Sequence, residues 1–369
     1  MMKVLYALLV VAAAATAGVV LASELSHRDE RILFASNPLV CDGDAGHQGA
    51  CLPYFRCESY GGTVEGTCRV VGQCCVVESS CGETSEARIT YFTSKHYLIS
   101  DTNCGATISP SSSIAARDIC QLHVTLEEMT LTEPNADGEC DKQYLEVKGG
   151  KENSMKVCGV GNNQTLVVDV EGMEGPFKVS VTTLEENLDS EWEVKVVQVP
   201  CNSDDLAPSG CHQYVTGVTG EVKSFNYDTK ESSRKHANDM PGSRHLQESY
   251  TICVRAENDY CGVKWTSPSD SSEDEYDFTL TGNLAPAGMD PVFGSGLNED
   301  CAFTDYLLIT DASVVGEEFP TTVLCGSHFP SPGLYSTSFE VRVVANDKEF
   351  EDEDIDNRGF HLLYEQQLC

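Results

Sequence analysis

Cysteines and carboxylates are the side chains whose number and spacing could do chemistry in this sequence. The chain of 369 residues has 18 cysteines, and 58 acidic against 24 basic side chains give a formal net charge of −34. Thiols form disulfides, bind zinc or act as nucleophiles, whereas clustered carboxylates bind calcium. Two runs, Asp270–Asp277 and Lys348–Asp356, are especially acidic. Disulfides and cation binding are therefore the first chemistry to consider.

Catalytic motifs are absent from the sequence. It has no Gly-x-Ser-x-Gly elbow, no His-Glu-x-x-His helix and no Walker loop. None of the nine histidines lies at ligand spacing from another. His123 falls on the polar phase of a strand, which predicts an exposed surface histidine. We therefore expect no enzyme activity and no required cofactor.

The negative charge excludes two classes of partner. A phosphate backbone needs clustered Lys and Arg, and an anionic membrane attracts basic surfaces. We thus expect neither nucleic acid nor a membrane surface. The acidic runs are typical of solvated loops, although they would also suit weak calcium uptake or a basic protein.

The amino terminus predicts secretion. One lysine precedes an apolar, small-residue run, so that residues 1–22 have the composition of a signal peptide, followed by a spacer over 23–40. An uncleaved anchor is the alternative, because the run is about as long as a short membrane span. Its alanine content favours cleavage, and we expect no membrane span in the secreted chain. Asn163 then begins a glycosylation sequon, Asn163-Gln164-Thr165.

The cysteines fall into three groups of six, and the second and third groups read as diverged copies of one unit. The interval from the fifth to the sixth cysteine is 43 residues in one copy (201 − 158) and 44 in the other (369 − 325). Each copy has a glutamine three residues before its last cysteine, Gln198 and Gln366. The groups are Cys41, Cys51, Cys57, Cys68, Cys74, Cys75; Cys81, Cys104, Cys120, Cys140, Cys158, Cys201; and Cys211, Cys253, Cys261, Cys301, Cys325, Cys369. The copies predict domains over 81–201 and 211–369, joined by a polar Pro/Gly linker at 202–210.

Alternation of apolar and polar residues predicts β-strands in both copies. Residues 177–182 alternate in the first copy, as residues 339–343 do in the second. In the strand that includes Leu122, the apolar parity shifts before Met129, which predicts a β-bulge. No long helical periodicity follows the leader. The fold class we expect is all-β, with two antiparallel β-sandwiches in tandem.

The first cysteine group, residues 41–75, is a separate small domain. It holds six cysteines and almost no aliphatic residues. Such a segment can fold only when disulfides staple it. We therefore expect a disulfide-rich knot before the two sandwiches.

Short motifs in the two copies point to a known family. The first copy has an opening Cys81-Gly82, the run Cys140 to Val147 and a Val-Cys-Gly ending at Gly159, and the second has Arg358-Gly359-Phe360 before its last strand. With these motifs each copy resembles a CUB domain, an extracellular β-sandwich module. The run Thr219–Tyr227 is similar to a group of secreted arthropod CUB proteins.

The resemblance implies a disulfide pairing. In CUB domains the first cysteine pairs with the second and the fourth with the fifth, which implies Cys81–Cys104, Cys140–Cys158, Cys211–Cys253 and Cys301–Cys325. The cysteines left over suggest Cys120–Cys201 and Cys261–Cys369. The leading knot resembles a clip domain, which implies Cys41–Cys74, Cys51–Cys68 and Cys57–Cys75. Sequence alone leaves other arrangements open, because six cysteines can pair in many ways.

The resemblance also implies a calcium site in the second copy. Many CUB domains bind calcium through acids on separate loops, and a hard cation needs several converging oxygens. Asp305 and Asp347 match the second and third of the family's ligand positions, and Glu299 is a loose candidate for the first. The fit is imperfect, since Asp305 lies four rather than three residues after Cys301.

Calcium is not expected in the first copy. Gln143 stands at the central acidic position there. The acid before Cys140, Glu133 or Glu139, would lack the other acidic ligands of a calcium site. Any calcium is therefore expected in the second copy.

These features predict a secreted, non-enzymatic protein that recognises an extracellular protein or glycan through sandwich-end loops, assisted by calcium in the second copy. The acidic runs support a second hypothesis, an acidic extracellular matrix or mineral-associated structural protein. That hypothesis predicts weak, multivalent calcium uptake and self-association into oligomers. The clip-like knot supports a third hypothesis, a regulator of an extracellular serine-protease cascade.

Overall fold

The computed structural model describes residues 40–53, 55–68, 72–95, 103–111, 118–135, 137–152, 154–161, 163–185, 190–227, 244–268, 277–280, 295–297, 301, 304–317, 320–326, 328–346 and 358–369. Glu299, Asp347, the predicted signal peptide and all of both acidic runs except Asp277 lie outside these residues. No helix in the described part of the chain is long and apolar enough to cross a bilayer.

The chain divides into two compact units. The first comprises Met1–Val77 with Ser112–Ile114, and the second Glu78–Ser111 with Ala115–Cys369. The second unit contains both predicted sandwiches. We call β5–β14 sandwich 1 and β15–β26 sandwich 2, with bounds given below.

The first unit is a small antiparallel sheet with the strand order β1-β2-β4-β3. Cys57, Cys74 and Cys75 are among its few buried residues. Disulfides thus form much of the interior, as expected for a segment with few aliphatic residues. Its elements are β1 (Val40–Asp42), β2 (Gln48–Leu52), α1 (Arg56–Ser59), β3 (Thr63–Thr67) and β4 (Gln73–Val76).

Sandwich 1 consists of two sheets, with the strand orders β10-β13-β8-β6 and β11-β9-β14-β7-β5; β12 also pairs with β9. Two short pairings, β5 with β7 and β6 with β8, are parallel. Trp192, Phe92 and Phe177 are buried between the sheets. The strands are β5 (Glu78–Ser79), β6 (Thr84–Ser85), β7 (Ile89–Thr93), β8 (Asn103–Ile108), β9 (Ile119–Thr130), β10 (Gln143–Lys148), β11 (Val160–Gly161), β12 (Gln164–Asp169), β13 (Phe177–Thr183) and β14 (Glu191–Pro200).

The predicted bulge lies in β9. Leu126 pairs with Val194 and Glu128 with Glu193, so that Glu127 is the additional residue. The bulge restores the burial of Met129 after the change in parity, because one extra residue turns the following side chains to the other face. The prediction is confirmed.

Sandwich 2 repeats this architecture, with the sheet orders β15-β17-β25-β21-β23-β20 and β16-β26-β18-β24-β22; β19 pairs with β26. Trp265, Phe225 and Phe360 are among its largest buried side chains. The strands are β15 (Gln213–Val215), β16 (Thr219–Lys223), β17 (Tyr250–Val254), β18 (Tyr260–Thr266), β19 (Phe278–Thr279), β20 (Ser295–Leu297), β21 (Tyr306–Leu308), β22 (Ala312–Val314), β23 (Val323–Gly326), β24 (Leu334–Ser336), β25 (Glu340–Val344) and β26 (Gly359–Leu368). The expected all-β class is confirmed.

The disulfides of the structure join the same nine pairs that the resemblances and the left-over cysteines suggested. Cys120 of β9 is bonded to Cys201, the residue after β14. Cys261 of β18 is bonded to Cys369, the residue after β26. Because β9 pairs with β14 and β18 with β26, each bridge joins neighbouring strands and secures the end of the last strand.

The glutamine three residues before the last cysteine makes equivalent hydrogen bonds in both sandwiches. The Gln198 amide donates to the carbonyls of Ala87 and Ser109 and accepts from the N–H of Ser111. The Gln366 amide donates to two backbone carbonyls, those of Gly217 and Arg255, and accepts from the Glu257 N–H. One buried side chain thus holds two backbone segments to the last strand.

Candidate functional site

Asp305 lies immediately before β21, with its side chain 4% exposed. Its Oδ1 accepts a hydrogen bond from the Asn346 N–H at 2.8 Å. Asn346 follows β25 and precedes Asp347 in the chain. Asp305 therefore lies against the start of the loop that the calcium hypothesis requires, whereas Asp347 and Glu299 are outside the described residues.

His245 faces the other oxygen of this carboxylate. Its Nε2 lies 3.4 Å from Asp305 Oδ2, and its side chain is 2% exposed. Its Nδ1 is 3.1 Å from the carbonyl oxygen of Leu246, which can only accept. Nδ1 therefore carries a proton, and Nε2 lies in direct contact with the buried carboxylate.

This surrounding does not fit a calcium ligand. Calcium binds six to eight oxygens at about 2.4 Å, but the two Asp305 oxygens already face a backbone N–H and an imidazole nitrogen. A calcium ion on Oδ2 would lie against the His245 ring, which hard cations disfavour as a ligand. Among the described residues, one further cluster has metal-ligand types, the sulfurs of Cys41, Cys51 and Cys68. Those sulfurs are bonded in disulfides, so they are not thiolate ligands.

Gln143, at the start of β10, occupies the corresponding position of sandwich 1. It is 1% exposed, and its Oε1 accepts from the Thr132 N–H at 3.1 Å. Its Nε2 donates to Thr183 Oγ1 at 2.9 Å and Ser190 Oγ at 3.1 Å. The amide is satisfied by these three hydrogen bonds, and it carries no charge that would attract a cation.

The two acids before Cys140 also have protein partners. Glu133 Oε2 accepts from Nδ2 of Asn226, a residue of sandwich 2, at 2.8 Å. Glu139 remains in an exposed turn, with Oε2 3.5 Å from Asn135 Nδ2. Glu133 is therefore held by an amide of the other sandwich, a contact that the sequence did not predict.

The linker at 202–210 is docked on sandwich 1. Gln121 of β9 accepts from the Ala207 N–H at 2.9 Å and donates to the Ala207 carbonyl at 2.8 Å. Ala207 packs in an apolar cluster with Val167, Cys211 and Cys253. The linker thus fixes the two sandwiches to each other through paired backbone hydrogen bonds and a small shared core.

The docked linker overturns the prediction for His123. This histidine is half-buried, and its Nε2 lies 3.1 Å from Gln121 Oε1. Burial lowers its pKa, while the negative charge of Asp205 in the linker raises it. Period-two alternation correctly placed His123 outside the sandwich core, but it could not foresee that another segment covers this face.

A second pair of histidine and acid lies on β16 and β26. Glu221 accepts from Lys223 Nζ at 2.7 Å and lies 2.8 Å from His361 Nε2. Burial raises the pKa of Glu221, but its hydrogen bonds to Lys223 and His361 outweigh that effect and lower the pKa overall. Burial, and then the charge of Lys223, lowers the pKa of His361. Lys223 and Glu221 form an ion pair, and His361 contacts the other oxygen of the Glu221 carboxylate.

Asn163 lies at the turn between β11 and β12. Its side chain is exposed, and its φ of 57° places it in the left-handed region that asparagine tolerates. The sequon asparagine is therefore accessible for modification.

Sequence reasoning missed His245 and Asn226. Asn226 ends the segment Ser224-Phe225-Asn226, and in the folded chain it lies against Gly159 of sandwich 1. The glycine at position 159 is the one sequence feature that indicates a close neighbour there. A side chain at Gly159 would collide with the Asn226 amide. His245 has no comparable signal, since it follows residues 228–243 and lies in no strand.

Comparison with known proteins identifies the second sandwich. The animal CUB domain family matches residues 208–367, which are sandwich 2 and the end of the linker. CUB domains are non-catalytic modules that generally bind other molecules outside the cell. The resemblance of the second copy is confirmed, and that of the first copy stays a prediction. No curated protein matches the chain significantly.

Solved structures with CUB domains are similar to the chain at low identity. The CUB1-EGF-CUB2 domains of rat MASP-1 are 11% identical, with 79% of this chain and 99% of that chain covered and a TM-score of 0.24. The CUB1-EGF-CUB2 domain of human MASP-1/3 is 13% identical, with 76% and 100% covered and a TM-score of 0.23. Scores this low carry no inference about activity or partners.

Proposed function

We propose that the protein is a secreted, non-enzymatic binding protein and that sandwich 2 recognises an extracellular protein or glycan. The match of residues 208–367 to the animal CUB family carries the proposal, because CUB domains are binding modules. The pairing of all 18 cysteines supports an extracellular location, since cytosolic thiols stay reduced. Calcium is not included, because the surroundings of Asp305 do not fit it.

The recognition surface that we favour is the outer face of the sheet formed by β16, β26, β18, β24 and β22. Strand register places Lys264 beside Glu365 on one side and Tyr335 on the other. Tyr335 and Leu363 are each 37% exposed. Aromatic and aliphatic side chains framed by charges are typical of binding surfaces. We favour this face over the loop end near Asp305, because Gln247 and Asn226 at that end are bonded to Gly138 and Glu133 of sandwich 1.

Binding to glycan arrays and to panels of extracellular proteins tests this function on the purified full chain. We expect saturable binding of a discrete partner and a loss of about ten-fold in affinity in Leu363→Asp, because a buried interface charge costs more than 1.4 kcal/mol. Leu368→Asp is the matched control, since Leu368 lies on the same strand and is 74% exposed. Equal affinities of the two variants would place recognition elsewhere. Weak, non-saturable uptake by many ligands would support the matrix hypothesis instead.

Expression of the full chain in secretory cells tests the location. We expect the protein in the medium without residues 1–22, and a glycosidase-sensitive mass that Asn163→Gln removes. Asn162→Gln is the control, because this neighbouring asparagine is outside the sequon. Retention of the chain in the cell with residues 1–22 attached would contradict secretion.

A further inference from the structure

Residues Arg244–Gln247, which we call the bridge segment, join the loop ends of the two sandwiches. On the side of sandwich 2, the bridge segment carries His245, whose Nε2 faces Asp305 Oδ2 at 3.4 Å. Asp305 Oδ1 also accepts a hydrogen bond from the Asn346 N–H at 2.8 Å. One carboxylate therefore ties the bridge segment to the start of the loop after β25.

On the side of sandwich 1, the bridge segment meets the residues before Cys140. The Gln247 N–H donates to the Gly138 carbonyl at 2.9 Å. Asn226 Nδ2 donates to the Arg244 carbonyl at 2.7 Å and to Glu133 Oε2 at 2.8 Å. Two further contacts across the sandwiches extend this interface: Val160 N–H to Asn226 Oδ1 at 2.8 Å and Gln164 Nε2 to the Ser224 carbonyl at 2.8 Å.

The polar groups of this interface are withdrawn from water. Asn226 is fully buried, and Arg244 and His245 are 5% and 2% exposed. Hydrogen bonds among buried polar groups hold a single arrangement, because breaking one leaves an uncompensated group in a medium of low polarity. The contact is therefore expected to be rigid.

Two glycines make the close approach possible. Gly159 has a φ of 73°, and a Cβ there would collide with Asn226 Oδ1. Gly138 has a φ of 77°, and a Cβ there would lie 3.0 Å from the Gln247 nitrogen. At both positions the backbone conformation and the neighbouring sandwich exclude a side chain.

We infer that two acids at positions that the resemblance compares with calcium ligands instead support a calcium-independent contact between the two sandwiches, Glu133 by binding Asn226 of sandwich 2 and Asp305 by holding the bridge segment in place. Asp305 pairs with the imidazole of His245, and Glu133 accepts from the amide of Asn226. Glu133 contacts sandwich 2 directly, whereas Asp305 acts within sandwich 2, where it contacts the bridge segment whose Gln247 N–H donates to Gly138 of sandwich 1. The inference holds whether or not the proposed partner surface is correct, because it concerns a different face.

Hydrogen exchange of the full chain tests the interface. With calcium or with a chelator, we expect the same protection in peptides that cover 133–138, 157–161 and 244–247. Asn226→Asp removes both donors and places a carboxylate against Glu133, so exchange there should accelerate about ten-fold. Asn226→Gly keeps the left-handed backbone and should act in the same direction, which separates loss of the amide from misfolding. Unchanged exchange in both variants would overturn the inference.

Calorimetric titration of calcium into the chelator-stripped protein tests the metal directly. We expect Asp305→Asn to remove no binding site while it accelerates exchange of the bridge segment. Asp311→Asn is the matched control, because Asp311 is an exposed acid near the other end of β21 with a φ of 54° that asparagine adopts readily. A saturable site that is lost in Asp305→Asn but kept in Asp311→Asn, or exchange that calcium slows, would overturn the inference. Partner binding is measured separately, so the two proposals fail independently.

Discussion

Sandwich 1 and sandwich 2 place different chemistry at one position of the same architecture. Sandwich 1 buries Gln143, a neutral amide whose three hydrogen bonds all come from its own sandwich. Sandwich 2 buries Asp305, a carboxylate that accepts from the Asn346 N–H and contacts His245 of the bridge segment. A neutral amide is satisfied by hydrogen bonds alone, whereas a buried carboxylate is costly unless several polar groups converge on it. The difference shows that the charged position contacts the segment that also reaches the other sandwich, whereas the neutral position is satisfied within its own sandwich.

The two sandwiches are alike in their covalent and hydrogen-bonded closure. Each ends with a disulfide to the neighbouring strand, and each holds its loops with one glutamine. The following predictions test whether the disulfide and glutamine at the end of each sandwich contribute equally, and whether the positions of Gln143 and Asp305 contribute differently.

The largest effect is expected from the long disulfides. Replacing both cysteines of Cys120–Cys201 or Cys261–Cys369 by alanine should lower the free energy of unfolding by about 4–5 kcal/mol in each sandwich, since the closed loops span 81 and 108 residues. Denaturant unfolding of the full chain measures the loss. The control is Cys51–Cys68, which lies in the first compact unit and should leave the sandwich transition in place. If only one of the two replacements lowers the free energy of unfolding, the two disulfides do not contribute equally.

The next effect distinguishes the charged from the neutral position. His245→Ala should cost about 3 kcal/mol, because it removes a buried ring that contacts the Asp305 carboxylate and leaves a cavity in its place. Gln143→Ala should cost about 2 kcal/mol, because it removes only neutral hydrogen bonds. Chemical denaturation of both variants gives the comparison. Equal losses would contradict a larger contribution from the contact between His245 and Asp305.

Gln198 and Gln366 should contribute equally to the stability of their sandwiches. Gln198→Ala and Gln366→Ala each remove three hydrogen bonds to buried backbone and should cost about 3 kcal/mol. Gln367→Ala is the control, since Gln367 makes a single hydrogen bond at the surface, to the Glu365 carbonyl. Thermal melting of the three variants measures the effect. If Gln367→Ala lowers the melting temperature as much as Gln366→Ala does, the buried hydrogen bonds of Gln366 do not account for its effect.

The smallest effect is a pH dependence of stability. Burial lowers the pKa of His212 in the folded protein below its ordinary value of 6.5, and His123 and His361 are shifted in the same direction. The unfolded chain then binds protons that the folded chain does not, so their stabilisation is present above pH 6.5 and is lost as the pH falls below it. Melting temperatures at neutral and mildly acidic pH should show this decrease.

His212→Asn should make the decrease smaller. The Asn side chain can still accept the Thr251 N–H, which His212 Nδ1 accepts at 3.2 Å, but it does not titrate. An unchanged pH profile of this variant would contradict a contribution from His212.

Local patterns predicted much of the fold. Alternation predicted β13 and β25, and the change in parity before Met129 predicted the bulge that lies at Glu127. These features follow from the period of two in a strand, which is a property of neighbouring residues. The contacts of the candidate site join residues far apart in the chain: Asn226 and Glu133 are 93 residues apart. No local pattern reports such a contact.

The sequence by itself determined the all-β class, the order of the strands along the chain and the even set of cysteines, because periodicity and composition act over short distances. Only the tertiary structure decided what covers each polar face. It brought Asp205 and Ala207 of the linker onto the strand of His123, and His245 against Asp305. Whether a carboxylate holds a cation or a neighbouring side chain depends on which groups converge on it, and that convergence exists only once the two sandwiches have packed.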